Sequence, residues 1–132
     1  IQAALGMANL TTDAIDHINA HATSTPVGDR AEIASLRNVF GERLPAIPIS
    51  ATKAATGHLL GAAGGIESIF SVLAANTQQL PPTINLEHCD DDMQDLTFVT
   101  ATDQKHVTKH VLCNGFGFGG VNAALIVSSI ER

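Results

Sequence analysis

From Ala54 to Leu86 the chain carries one formal charge, Glu67, and the middle of that stretch reads as a single long helix over residues 58–76. The helix is apolar nearly all round, and a helix without a polar face must be covered by protein on most sides. Gly61, Gly64 and Gly65 lie within it. Each costs about 1 kcal/mol relative to alanine in a helix interior, which is tolerable where another backbone comes very close. A membrane span is the competing reading, since residues 54–75 are numerous enough; Glu67, His58 and the many small residues argue against it, because a charge at mid-membrane is expensive. A carboxylate on a buried helix needs a partner or must take up a proton. Lys53, at the end of the preceding strand, is the nearest cation in sequence, so a hydrogen-bonded Lys53–Glu67 pair is expected, direct or through water.

The rest of the chain alternates short strands and helices. A helix is expected at Gln2 to Ala8, and a strand at Ile15 to Asn19 that runs directly into His21. Residues 29–40 form an amphipathic helix through Ile33, Leu36, Val39 and Phe40, with Asp29 as its cap, Glu32 in a capping-box-like position and Gly41 as its stop. Pro45 and Pro48 bracket a turn into a strand at Ile47 to Ser50. Pro81-Pro82 closes the apolar region. Residues 87–95, with Glu87, Asp90, Asp91, Asp92 and Asp95, read as a solvated acidic loop. Further strands are expected at 96–100, 110–114 and 122–128, the last nearly continuously apolar and so covered on both faces. The pattern is α/β: a mixed sheet packed with helices.

A length of 132 residues suits one domain or half of a larger one, and 45% hydrophobic against 15% charged residues excludes a disordered chain. With a net charge of −6 and seven scattered basic residues, nucleic acid is not an expected partner. Arg30 and Arg37 are the one basic pair expected to share a helix face. Two cysteines, Cys89 and Cys113, do not make a disulfide scaffold and point to a reducing compartment. No secretory signal opens the chain, and Ile1 already stands in what reads as a helix, so further sequence upstream is expected.

Two histidines and a lysine carry the candidate chemistry. His21 stands in Asn19-Ala20-His21-Ala22-Thr23-Ser24-Thr25-Pro26, at a strand end, where α/β proteins place their clefts. The three hydroxyls that follow can bind loop backbone or the amides of a ligand; the plainer reading is a satisfied loop histidine. His58 falls in the first turn of the long helix with Thr56 as its N-cap, where the helix dipole disfavours an imidazolium. A neutral imidazole there can donate one N–H to a developing oxyanion, or simply cap the helix. The Lys53–Glu67 charge either orients the two imidazoles or is a structural ion pair.

Gly115-Phe116-Gly117-Phe118-Gly119-Gly120 superficially resembles a dinucleotide loop, but a strand follows it and no acidic residue lies about 20 positions on. Its glycines let backbone line a cleft closely with amides facing in, and Phe116 and Phe118 either wall an acyl channel or belong to the core. His106 and His110 have i,i+4 spacing without a third ligand, and His17 and His88 have no distinctive frame. No metal site and no cofactor are expected.

Four motifs in order carry a family resemblance across essentially the whole chain: residues 21–29, the run from Lys53 to Gly64, Pro81-Pro82-Thr83-Ile84-Asn85, and Asn114 to Gly120. The chain resembles the carboxy-terminal part of the elongating β-ketoacyl-[acyl-carrier-protein] synthases of fatty acid synthesis. The resemblance implies one half of a thiolase-like fold and an acyltransferase that condenses malonyl-[acyl-carrier-protein] with an enzyme-bound acyl thioester. It implies that His21 and His58 are the catalytic histidines, Lys53 the active-site lysine and Glu67 the glutamate in its network. Thr23 and Thr25 match residues that contact the carrier's pantetheine arm. Phe118 matches the gating phenylalanine, with Phe116, Gly117 and Gly119 beside it on the substrate side. The family's nucleophilic cysteine lies in the other half; Cys113 does not take its place.

Implied partners are acyl carrier protein, the amino-terminal half and a second copy in the complete enzyme, in the cytoplasm or alternatively in a mitochondrion or plastid. Ala22 replaces a glycine common in bacterial members, Ala51 stands where serine is frequent, and the Thr-Ser-Thr run favours fatty acid over polyketide synthases. By itself the chain is expected to be inactive and to leave apolar surface bare. The alternatives are a non-catalytic partner of the chain-length-factor type and an acyl-binding module of the same fold.

Overall fold

Ile18, Ile49 and Leu112, together with Ile126, stand side by side across four strands, and the first three have essentially no contact with solvent. That row defines the sheet. The computed structural model, which describes residues 1–102 and 105–130, contains strands β1 (His17–Asn19), β2 (Ile49–Ser50), β3 (His110–Phe116) and β4 (Asn122–Ser128) in the order β2-β1-β3-β4. β1 runs parallel to β2 and β3, and β4 pairs antiparallel with β3. The mixed α/β sheet expected from the sequence is present.

Successive strand residues face opposite sides of a sheet, and here the two sides differ in chemistry. Ile18, Ile49 and Leu112 join Ile33, Leu36 and Phe40 of helix α2 (Pro26–Phe40) in one apolar core. The other face carries His17, Asn19, Val111 and Cys113 toward helix α4 (Ala63–Thr77), whose inward residues are Ala63, Glu67, Ser71, Ala74 and Ala75. A short helix α1 (Gln2–Ala8) and a one-turn helix α3 (Lys53–Thr56) complete the set.

Several expected boundaries move. Helix α2 starts at Pro26 rather than 29: Thr25 is its N-cap and accepts the Gly28 N–H at 3.2 Å, and Pro26 takes the first helical position, where its missing N–H costs nothing. Asp29 is therefore not the cap, and Glu32 forms no capping box. The helix expected over 58–76 is broken at its start. Gly57 leaves α3 at φ 72°, residues 60–62 form a 3₁₀ turn, and α4 begins only at Ala63. Thr56 ends α3 and is not an N-cap.

The long helix is also not buried all round. Glu67 and Ser71 are sealed against the sheet, while Ile69, Val72 and Leu73 are exposed on the opposite side. β4 likewise is not covered on both faces, with Leu125 half exposed. The bare apolar surface expected for the isolated chain is thus present. No described helix is long and apolar enough to cross a membrane.

The strand expected at 96–100 reduces to one parallel bridge between Ile49 and Phe98, because the Val99 carbonyl turns to the Thr83 N–H at 2.7 Å. The acidic loop is more than solvated surface. Asp95 takes Arg37 at 2.6 Å, Asp90 takes Arg30 at 3.2 Å, and Met93 and Leu96 are buried beneath, so the loop is strapped onto α2. These ion pairs are exposed, and such pairs contribute little individually; the buried Met93 and Leu96 hold the loop.

His17 is fully buried. The Ser50 hydroxyl donates to the Pro81 carbonyl at 2.5 Å and so accepts from His17 Nε2–H at 2.8 Å, leaving Nδ1 without a partner. Burial, and secondarily His106, lowers its pKa to about 3. In the unfolded chain it titrates near the ordinary 6.5. Between these values only the unfolded state binds the proton, so the His17 contribution is present at neutral pH and lost as pH falls from about 6.5 toward 3. Urea denaturation of the protein carrying this chain at pH 7 and pH 5 is expected to show a smaller acid loss in His17→Gln than in wild type, by up to about 2 kcal/mol. Equal losses in both proteins contradict the assignment.

Candidate active site

β1 ends at Asn19, and the chain turns over residues 20–25 with two non-glycine residues in the left-handed region, Ala22 at φ 33° and Ser24 at φ 61°. Such conformations persist only where the surroundings enforce them. Here α2 does so. The buried Glu32 carboxylate accepts the His21 N–H at 2.9 Å and the Ala22 N–H at 2.8 Å, and Asn114 Nδ2 donates a third bond at 3.0 Å. Burial raises the Glu32 pKa, and those three donors oppose the rise. One turn earlier, burial also raises the Asp29 pKa, against the amides of Ser24, Thr25 and Thr23 that face its carboxylate. The Thr23 and Thr25 hydroxyls bond each other at 3.1 Å. At Gly28 a Cβ would collide with the Thr25 hydroxyl, so the capped turn needs glycine there.

Lys53 opens α3 just beyond β2 and is 8% exposed; Glu67, on α4, is 1% exposed. Their side chains meet directly, Nζ to Oε1, without an intervening water. The same ammonium donates to the His21 carbonyl at 2.6 Å and lies 3.4 Å from His21 Nδ1. Three N–H bonds of one ammonium thus meet three acceptors. Around this pair, Asn19 Nδ2 and the Ser71 hydroxyl donate to the Glu67 backbone carbonyl at 3.3 and 2.9 Å.

His58 sits in the turn between α3 and the 3₁₀ segment rather than in a helix, so the dipole argument does not apply to it. The Leu60 N–H donates to its Nδ1 at 3.2 Å instead. Because a backbone N–H and an ammonium can only donate, Nδ1 is the acceptor on both rings, and the proton of each neutral ring is on Nε2. The two rings meet edge to face with centroids 5.6 Å apart. Burial first, then Lys53 and His58, lowers the His21 pKa to about 4, so it is neutral at pH 7. The pair opens on a cleft of about 1170 Å³ that also includes Thr23, Thr25, Phe116, Gly117 and Phe118. A second cleft of about 560 Å³ shares Thr23, Thr25 and His58 with the first and includes Lys53.

The glycine segment divides in function. Phe116, the last residue of β3, packs on the His21 ring with centroids 5.8 Å apart at 56°. Phe118 is 94% exposed, in a turn where Gly119 has φ 76°. The Gly117 N–H is not free to face the cleft, since it bonds the Val121 carbonyl at 2.8 Å. Gly119 lines neither cleft. Cys113 is buried in mid-strand, and burial raises its thiol pKa, which is the wrong direction for a nucleophile. His106 contacts Thr108 and His110 contacts Ser128, and neither approaches the cleft.

Sequence reasoning missed Glu32 and Asn114. Glu32 looked like a helix-start residue; the available signal was its place on the apolar side of α2, one position from Ile33. Replacing Glu32 by Gln turns an acceptor into a donor facing backbone N–H groups. We expect a loss of about 1–3 kcal/mol in stability and faster hydrogen exchange at the His21 and Ala22 amides. Unchanged exchange at both amides contradicts the clamp.

Residues 1–87 match the family described as Beta-ketoacyl synthase, C-terminal domain. The chain is 49% identical over 117 residues to 3-oxoacyl-[acyl-carrier-protein] synthase 1 of Escherichia coli strain K12, an overlap of 89% of this chain and 28% of that protein. It therefore spans under a third of that relative's length. Among solved structures it is similar to a type II polyketide ketosynthase in complex with its acyl-carrier protein, with TM-score 0.93, 32% identity and coverage of 98% of this chain and 32% of that one. It is also similar to the ishigamide ketosynthase/chain length factor, with TM-score 0.92, 32% identity and the same two coverages. The four-stranded mixed sheet with its helices is accordingly part of the thiolase-like ketosynthase fold. With two thirds of its length matching that domain, the chain belongs to the β-ketoacyl synthase family.

Proposed function

We propose that this chain supplies the decarboxylation and oxyanion half of a condensing site that elongates acyl chains from malonyl-[acyl-carrier-protein]. The observation that carries the reading is the pair of imidazoles, edge to face at 5.6 Å, each with Nδ1 occupied as an acceptor and Nε2–H left as the donor. Two such donors suit a thioester oxygen that gains negative charge. When the malonyl carboxylate leaves as carbon dioxide, the electron pair of the broken C–C bond moves into the thioester to form an enolate. His21 and His58 hold its oxygen. The carbanion then attacks an acyl thioester on a cysteine outside this chain, the new C–C bond forms, and the cysteine thiolate departs. The Lys53 ammonium fixes His21 through its carbonyl and Nδ1, and Glu67 balances that ammonium. In this reading Thr23 and Thr25, which line both clefts, contact the carrier's arm, and the exposed Phe118 contacts the acyl chain; the lining and exposure support these roles. Gly119 is not assigned a contact.

A chain-length-factor role is disfavoured by the intact two-histidine and lysine arrangement. Acyl carrier protein and a second copy of the complete enzyme are the proposed partners. Without a nucleophile, the 132 residues alone are expected to run no condensation.

The test uses the full-length protein. His21→Ala and His58→Ala are each expected to lower malonyl-thioester decarboxylation by about 10²–10³, with the fold retained by circular dichroism. Glu67→Gln is expected to keep the fold and lower turnover. Wild-type rates in both histidine variants contradict the reading, and an unchanged rate in Glu67→Gln makes the Lys53–Glu67 pair structural only.

A further inference from the structure

We propose that Phe116 is a positioning residue for His21: its ring fixes the plane in which the imidazole offers Nε2–H. The inference rests on the reading of His21 as an oxyanion donor. Glu32 holds the His21 N–H and Lys53 holds its carbonyl, so the backbone is fixed at both ends. The ring is held less firmly by polar contacts, since its bond to Lys53 spans 3.4 Å. Two aromatic contacts remain, to His58 and to Phe116. His58 is an exposed turn residue. Phe116 is the last residue of β3, paired in register with Asn122 of β4, and so is mounted on the sheet itself.

A tilted ring-on-ring contact is directional, and it also keeps water from one side of the imidazole. The charged and titratable groups around His21 are Lys53 on α3, His58 in the following turn, Glu32 and Asp29 on α2, and Glu67 on α4 behind the lysine. Two residues further on, Phe118 stands free of the sheet. Both phenylalanines line the cleft, but only Phe116 also packs on the His21 ring.

Full-length Phe116→Leu, Phe116→Ala and Phe116→Tyr, assayed for malonyl-thioester decarboxylation across pH, test the assignment. Phe116→Leu and Phe116→Ala are expected to lower kcat about tenfold with KM unchanged. Both are expected to move the acid limb upward toward the ordinary histidine value, as water reaches the ring. Phe116→Tyr is expected to restore both. A raised KM with kcat and acid limb unchanged overturns the proposal and makes Phe116 a substrate contact. If the smaller variants do not fold, histidine NMR of the wild type decides. An upfield ring-current shift of the His21 carbon-bound protons is expected, and its absence overturns the proposal. An inactive wild type with that shift present rejects the proposed function and leaves the Phe116–His21 contact standing.

Discussion

The Lys53 ammonium is the junction on which the site depends. It joins three elements that are far apart in sequence: α3, which carries it; the loop after β1, through the His21 carbonyl and Nδ1; and α4, through Glu67. Both members of the ion pair are out of water, where an unpaired charge is very costly; Glu67 Oε1 meets the ammonium, while its buried Oε2 has no hydrogen-bond partner. The pair brings little net stability of that kind. What it provides is position: with all three N–H bonds committed, the ammonium cannot move without stranding a buried carboxylate.

The sheet makes this junction possible by dividing its labour between faces. Ile18 and its neighbours across the strands lie in the apolar core with α2, and the alternation of the strand sends His17 and Asn19 to the α4 side. A polar column therefore runs along β1 from His17 at one end to His21 just past the other. Its members take partners from adjacent elements, the Ser50 hydroxyl for His17 Nε2 and the Glu67 backbone carbonyl for Asn19, although His17 Nδ1 stays unpaired. Those bonds offset part of the cost of burying these groups, and the residue beyond the strand end emerges into the cleft with its backbone already fixed.

Much of the site was legible in the sequence because its signals are local. The lone charge at Glu67 in a long apolar stretch required a partner, and Lys53 was the nearest one; their direct contact follows from the same electrostatics. The mixed sheet and the helices around residues 2–8 and 29–40 were also readable from short-range periodicity. Other features were not. Glu32 has the sequence signature of a capping box, yet Thr25 caps the helix and the Glu32 carboxylate instead reaches amides 10 and 11 residues back. The strands expected at 96–100 and 122–128 are apolar enough to be buried, but whether a strand is paired or covered depends on what packs beside it.

The sequence by itself determined which groups need company: a buried carboxylate, a hydroxyl-rich strand-end loop, two histidines in polar frames and an apolar helix. Those demands come from solvation and backbone sterics, which act over a few residues. Only the tertiary structure decided who answers them. His58 obtains its tautomer from the Leu60 amide in a turn that Gly57 creates, rather than from a helix dipole. His21 obtains its position from Glu32, Lys53 and Phe116, on three different elements. Hydrogen bonds and ring contacts operate over a few ångströms in space, and a linear chain does not state which residues its folding will bring within that reach.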